Sequence, residues 1–88
     1  MLFMVVERFR NGDARAVGKR FREKGRMMPD GVNYVASWVD AREMRCFQVM
    51  EAEHAEALQP WMAAWRDLVE FDVAPVLTSQ EFWAGVGE

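Results

Sequence analysis

The chain has 88 residues, of which 51% are hydrophobic and 28% charged, and its formal net charge is −3. This length fits one domain spanning residues 1–88, and the composition excludes a disordered chain. The single cysteine, Cys46, excludes an internal disulfide, and one cysteine with one histidine excludes an ordinary Cys/His zinc site within one chain.

The first residues are apolar, but they lack a basic stretch and a small-residue cleavage site, so a signal peptide is not predicted. No run approaches the ~18 apolar residues of a membrane span. We therefore expect a cytoplasmic protein with no membrane partner.

Residues 2–9 are rich in Val and Phe and predict a first strand, apolar on both faces. A turn at 11–13 follows, with Asp13 as the N-cap of a helix that runs to about Arg26. Gly18 lies within this helix, at a cost of about 1 kcal/mol relative to alanine. One interpretation is that Gly18 allows close approach to the sheet.

Two more strands are expected at 32–39 and 45–51, and the short link between them implies an antiparallel hairpin of open register. A second helix is expected between about 55 and 69. Pro60 requires either a kink in this helix or a short turn before a helix that begins near Gln59.

Residues 71–77 predict a fourth strand, and Pro75 places it at a sheet edge because proline has no N–H to donate. Residues 78–81 match a capping box, which predicts a last short helix at 79–86. We expect its Phe82 and Trp83 to contact a partner subunit.

This order of elements predicts an α+β fold on the ferredoxin-like β-α-β-β-α-β plan. The plan has a four-stranded antiparallel sheet with the first and third strands central, two helices on one face, and here a short C-terminal helix. Two helices cover only one face, yet several strands are apolar on both. The uncovered face predicts a homodimer formed through sheet faces.

Motifs spread over nearly the whole chain resemble, in their order, one bacterial family of short proteins, the domain of unknown function 3303. They are MLFMVVERF (1–9) with NGD (11–13), FREKGRMMP (21–29), YVASWVD (34–40), RCFQVME (45–51), Trp61 with Trp65, and PVLT (75–78). The resemblance implies a subunit similar to the dimeric α/β-barrel superfamily, in which facing sheets often enclose a small-molecule cavity. It implies no reaction and no catalytic residues. Pro60 departs from the family pattern.

Candidate ligand-binding residues are expected along one sheet face. They are Arg8, Tyr34, Trp38, Cys46 and Gln48. An arginine, a phenol and an indole around an apolar cavity suit a small aromatic or carboxylate ligand. The alternative interpretation makes Tyr34 and Trp38 interface core, with Arg8 in an ion pair.

The opposite face is expected to carry Glu7, Asn33, Ser37 and Glu51. A buried carboxylate there would have a raised pKa and serve as a base. The alternative is a strand-end carboxylate in water or paired with arginine.

His54 precedes the second helix and is either an acid or base overhanging the cavity or an exposed helix-start residue. Cys46 has no second cysteine and no evident histidine partner, which favours a buried inert thiol. No cofactor and no metal is predicted, and no Gly-rich phosphate loop is present.

Nucleic-acid binding is not predicted. Residues 8–26 hold eight basic and two acidic residues, but such a run is usually a solvated helix face. The aromatic consensus of RNA-recognition domains is absent and the whole chain is acidic.

Three functions stay open at this point. The leading hypothesis is a protein that binds a small organic molecule. The alternatives are a cofactor-independent enzyme, of monooxygenase or isomerase type, and a structural or interaction module without a ligand. A pocket of about 300 Å³ or more with convergent polar groups favours the first two.

Overall fold

The structure is a computed structural model that describes residues 1–87, and its elements follow the predicted order. The strands are β1 (Leu2–Phe9), β2 (Asn33–Asp40), β3 (Arg45–Glu51) and β4 (Val69–Val76). The helices are α1 (Ala14–Lys24), α2 (Gln59–Trp65) and α3 (Ser79–Val86), with 3-10 turns at Arg10–Gly12 and Ala55–Leu58. Within residues 1–87, no helix is long and apolar enough to cross a membrane.

The four strands form one sheet in the order β2-β3-β1-β4, and each neighbouring pair is antiparallel. This order is that of the ferredoxin-like plan. The predicted fold class, the central position of β1 and β3, and the edge position of Pro75 on β4 are therefore confirmed.

One face of the sheet packs against the helices and holds the core. Along β1 the side chains alternate, so Phe3 and Val5 are buried on this covered face while their neighbours lie on the other. The core residues are Phe3, Val5, Val32, Met50, Ala52, Leu58, Trp61, Trp65 and Val69. Trp61 also packs edge-on against Phe71 of β4, with 5.2 Å between the ring centroids.

Pro60 is accommodated at the start of α2. The 3-10 turn ends at Leu58, and α2 begins at Gln59 with Pro60 in its first turn. A proline costs little there because the first helical N–H groups have no partner within the helix. The second of the two sequence alternatives, a short turn and then a helix from Gln59, is confirmed.

Helix α1 begins where Asp13 caps it, since the Asp13 carboxylate accepts a hydrogen bond from the Ala16 N–H at 3.1 Å. It ends at Gly25, whose φ of 68° favours glycine. No residue of α1 is buried. A Cβ at Gly18 would meet only the Arg22 guanidinium, at 3.3 Å, so Gly18 does not serve close approach to the sheet and that interpretation is wrong.

Strand β2 carries an irregularity that changes which face its side chains occupy. Its register with β3 shifts between Tyr34 and Ala36. Tyr34 lies opposite the buried Met50, whereas Trp38 lies opposite Phe47 on the uncovered face. Such a bulge adds one residue and reverses the alternation beyond it.

The uncovered face, which we call the open face, carries many apolar side chains. Half-buried residues here are Leu2, Met4, Val6, Ala36, Phe47, Val49 and Val76. Trp38 is 60% exposed on the same face. The predicted apolar character of both sheet faces is confirmed.

Helix α3 follows β4 and starts with the predicted capping box. The Thr78 hydroxyl accepts from the Glu81 N–H, and the Glu81 carboxylate accepts from the Thr78 N–H. Phe82 and Trp83 pack edge-on against each other and are largely exposed. Their contact with a partner subunit stays a prediction.

Candidate functional site

A pocket of about 370 Å³ lies between the covered face, α1 and α2. Its lining residues are Glu7, Phe9, Ala14, Val17, Gly18, Phe21, Arg26, Ser37, Val39, Cys46, Gln48, Trp61 and Trp65. The walls are mostly apolar, and the polar groups come mainly from the strands. Ala14, Val17, Gly18 and Phe21 of α1 face this pocket, and Val17 also packs against the edge of the core.

The floor of the pocket carries a buried carboxyl group. Glu7 of β1 lies directly opposite Cys46 of β3 and is 7% exposed. Removal from water raises the pKa of Glu7 to about 7, while hydrogen bonding from Gln48 and the positive charge of Arg26 act in the opposite direction. A carboxyl group with this pKa gains or loses its proton near neutral pH.

Beside Glu7, the Gln48 amide is also buried, at 5% exposure. In the β1–β3 register Gln48 stands opposite Val5, and Cys46 stands opposite Glu7. The two pairs are two residues apart along each strand, so all four side chains lie on the same face of the sheet. Among the described residues, nothing donates a hydrogen bond to Gln48 Oε1. An unsatisfied buried acceptor costs about 1–3 kcal/mol, so this atom destabilises the folded protein.

Arg26 lies at the side of the pocket, in the loop after α1. Its guanidinium carbon is 3.7 Å from the Tyr34 ring centroid, and its Nη2 is 3.4 Å from Ser37 Oγ. Ser37 Oγ is also 2.7 Å from the Tyr34 hydroxyl. The Arg26 carbonyl accepts from the Trp65 indole N–H at 3.0 Å, which fixes the loop to α2.

Cys46 contributes a thiol that is unsuited to nucleophilic chemistry. Burial, reinforced by the negative charge of Glu7, raises the pKa of Cys46 to about 11. The thiol stays protonated at neutral pH, and only the thiolate is a strong nucleophile. The predicted buried thiol is confirmed.

The structure separates the predicted ligand-binding residues. Gln48 lines the pocket, and Tyr34 adjoins it through Ser37 and Arg26. Arg8 and Trp38 lie on the open face, where Arg8 forms an ion pair with Asp72.

The expectation that these residues share one face is therefore wrong, for two physical reasons. Glu7, not Arg8, stands opposite Cys46 in the β1–β3 register. The bulge then places Tyr34 and Trp38 on different faces. His54 is exposed before the 3-10 turn and does not line the pocket.

The second predicted set divides in the same way. Glu7 and Ser37 line the pocket, together with Gln48, which the sequence had placed on the other face. Asn33 of β2 and Glu51 of β3 stand opposite each other in the strand register, and both lie on the open face. Arg26 was missed altogether; its position just after Gly25, which ends α1, is the signal that it belongs to a loop.

A second concavity of about 330 Å³ lies near the start of β1 and the end of β4, and the charged side chains that line it are those of Glu51 and Glu81. No group of three or more His, Cys, Asp or Glu residues in 1–87 is placed to hold a metal ion.

The fold and the pocket define a small α+β protein of ferredoxin-like topology with a cavity beneath its first helix. The chain belongs to the family described as domain of unknown function DUF3303, whose model matches residues 1–88. The family resemblance seen in the motifs is thereby confirmed. A search of curated proteins finds no match.

Proposed function

We propose that the protein binds a small organic molecule in the pocket between α1 and the covered face. The observation that carries this proposal is the pair of buried polar residues, Glu7 and Gln48, at the floor of a mostly apolar pocket that Arg26 and Ser37 also line. Ligand pockets usually combine apolar walls with a few placed polar groups, in volumes of roughly 300–1,000 Å³. The volume of about 370 Å³ falls at the lower end of this range.

The packing of α1 supports a ligand site over a purely structural module. A module without a ligand would stabilise itself by filling the space below α1 with side chains. Instead α1 buries no residue, and Phe21 is 44% exposed beside the pocket. Burial of Glu7 and Gln48 costs stability in the free protein, which is typical of groups retained for a function.

A cofactor-independent enzyme is the second candidate, and the pKa of Glu7 favours it. A carboxylate with a pKa of about 7 is a stronger base than an ordinary glutamate and is still half ionised at neutral pH. In such an enzyme Glu7 would take a proton from a substrate held under α1, in an isomerase or monooxygenase type of reaction. A cytoplasmic location stays a prediction in both cases.

Assembly is part of the proposal, with a second copy of the chain covering the open face. A two-fold interface requires a surface that is complementary to itself. The open face has an apolar middle, and at one end it carries both signs of charge in the pairs Arg8–Asp72 and Arg45–Asp40. The exposed Phe82 and Trp83 of α3 add apolar surface that a partner would cover.

The ligand proposal is tested by titrating the 15N-labelled protein with indole, p-cresol, p-xylene and benzoate, followed by NMR. We expect shifts concentrated at Glu7, Gln48 and Arg26. Gly18→Leu would fill the pocket and abolish these shifts, whereas Lys19→Leu, one residue along α1 and exposed, would retain them. Shifts confined to the open face, or unchanged binding by Gly18→Leu, would contradict the proposal.

The dimer proposal is tested by light scattering at micromolar concentration. We expect a dimer for the natural chain and a monomer for Val49→Asp, which places a charge in the middle of the open face. Ala63→Asp on the exposed side of α2 is the matched control and should remain dimeric. A compact monomer of the natural chain would rule out the interface.

A further inference from the structure

The charged end of Arg26 is held at the pocket by its neighbours. Its guanidinium carbon lies 3.7 Å from the centroid of the Tyr34 ring and 5.2 Å from the centroid of the Phe21 ring. Its Nη2 lies 3.4 Å from Ser37 Oγ. Phe21 and Ser37 line the pocket, as Arg26 itself does. Because the guanidinium contacts two residues of the pocket wall, the positive charge lies at the pocket.

Arg26 lacks the partner that comparable arginines of this chain have. Among residues 1–87, three arginines lie over an aromatic ring, and two of them also bind a carboxylate. Arg20 donates to both carboxylate oxygens of Asp67, at 2.6 and 2.7 Å, and Arg45 donates to Asp40 at 3.2 Å. Arg26 forms no ion pair within the same described residues. Its charge is therefore the one in this group that no carboxylate balances.

The guanidinium of Arg26 also has hydrogen-bond donors to spare. It carries five N–H groups in a planar fork, and the single side-chain bond it donates, to Ser37, is long. The Tyr34 and Phe21 rings interact with the cation but accept no conventional hydrogen bond. Glu7 lines the same pocket without forming an ion pair to Arg26. A half-buried cation in mostly apolar surroundings is stabilised when an anion binds it, and more strongly than in open water.

The geometry of the donor and of the walls sets the kind of anion that fits. The two oxygens of one carboxylate match the planar fork of one guanidinium in two parallel hydrogen bonds. A phosphate group carries more charge than a single arginine balances. Val17, Phe21 and Trp61 form walls that favour an apolar, and in particular an aromatic, body next to the charged group.

We propose that the ligand is a small carboxylate with an apolar, preferably aromatic, body, and that its carboxylate binds the guanidinium of Arg26 while its body packs against Phe21 and Trp61. This inference rests on the proposed ligand site and adds the chemical class of the ligand. Simple aromatic carboxylates fit this class. Neutral molecules of the same shape lack the charge, and cations carry the wrong one.

The test compares benzoate, benzamide and the benzamidinium cation, which have nearly the same shape and differ in charge. Titrations of the 15N-labelled protein are followed by NMR at about pH 6, where Glu7, with a pKa of about 7, is mostly protonated and does not repel an anion. We expect benzoate to bind about tenfold more tightly than benzamide, because hydrogen bonds between charged groups are stronger than those between neutral ones. Benzamidinium should bind most weakly.

The variant Arg26→Gln removes the charge and leaves the backbone carbonyl that accepts from Trp65, so benzoate and benzamide should then bind within about twofold of each other. Arg22→Gln is the matched control, since Arg22 is exposed on α1 and does not line the pocket, and it should keep the preference. The Nε–H signal of Arg26 gives a second readout on the natural protein. Benzoate should shift this signal and benzamide should not, whether or not Arg26→Gln folds.

The possible failures separate this inference from the proposed function. Benzoate binding no tighter than benzamide binding would overturn the carboxylate inference while the ligand site stands. A preference that survives in Arg26→Gln, or an Arg26 Nε–H signal that benzoate leaves unmoved, would overturn the role of Arg26. No binding of any of the three probes at millimolar concentration would overturn the proposed function itself.

Discussion

Helices α1 and α2 lie on the same face of the sheet, and both have an apolar stripe, yet they pack differently. In α2, Trp61 and Trp65 are 1% and 5% exposed, and both belong to the core. In α1 no residue is buried, and the space beneath it remains a pocket. The difference indicates that α2 contributes directly to the core, whereas α1 covers the candidate site.

The residue types that face each other explain this difference. The indole rings of Trp61 and Trp65 on α2 are buried in the core against the sheet. A large aromatic side chain buries about 150–250 Å² of surface. On the side of α1, the short side chains of Ala14 and Val17 and the bare backbone of Gly18 line the same pocket as the polar Glu7 and Gln48. These groups leave a gap that no nearby side chain fills.

The largest expected change in the free energy of unfolding comes from removing one large side chain from each helix. Trp61→Ala should lower the free energy of unfolding by about 3–5 kcal/mol, the usual cost of emptying a large core site. Phe21→Ala on α1 should cost less than about 1 kcal/mol because this ring is half exposed. Urea unfolding measures both values. Similar losses would show that α1 contributes to the core as much as α2.

The next test concerns the carboxyl group under α1. Because the pKa of Glu7 is raised from 4.5 to about 7 on folding, the native state binds its proton more tightly than the unfolded state. The contribution of Glu7 to stability is therefore fully present below pH 4.5 and is lost as the pH rises to about 7, a loss of about 3 kcal/mol in all. Glu7→Gln should remove this fall, with a gain of up to about 3 kcal/mol near pH 8 and none near pH 4.

Unfolding curves across the pH range measure the effect of Glu7→Gln. The exposed Glu51 provides the matched control, since Glu51→Gln removes a surface carboxylate and should change stability by less than about 0.5 kcal/mol. Parallel pH profiles for the natural chain and Glu7→Gln would mean that Glu7 titrates like an ordinary surface carboxylate.

The smallest expected effects concern two glycines, Gly18 within α1 and Gly25 directly after its last residue. Gly18→Ala should stabilise the protein by about 0.5–1 kcal/mol, because the position is helical and the added methyl group meets only the flexible end of Arg22. Gly25→Ala should destabilise by a similar amount because Gly25 has a φ of 68°. Thermal melting compares the two variants, and a loss of stability in Gly18→Ala would show that α1 packs more closely than described.

Features set by short-range chemistry were predictable from the sequence. The alternation of β1 and the capping box at 78–81 each depend on a few adjacent residues, and Pro60 reduced the start of α2 to two alternatives, of which the start at Gln59 is the one observed. The face occupied by a β2 side chain depends instead on pairing with β3, because the bulge near Val35 has no local signature. The sequence therefore grouped Tyr34 with Trp38 incorrectly. It also separated Glu7 from Gln48 incorrectly, because the register of β1 with β3 cannot be read from either strand alone.

The polar floor of the pocket was only partly predictable for the same reason. A buried carboxylate with a raised pKa was one of two alternatives for the set that includes Glu7 and Glu51, and the identity and neighbours of the buried group followed from the register alone. Arg26 belongs to a loop that returns over the sheet to meet Tyr34. Neither residue spacing nor composition indicates such a return.

The two edge strands of the sheet, β2 and β4, carry features that disfavour the addition of further strands. An edge strand with a regular row of free N–H and C=O groups is a template for adding strands from other chains. Here β4 carries Pro75, which lacks a donor, and β2 carries the bulge between Tyr34 and Ala36. Both edges thus disfavour open-ended growth in the plane of the sheet, although more than half of the residues are hydrophobic.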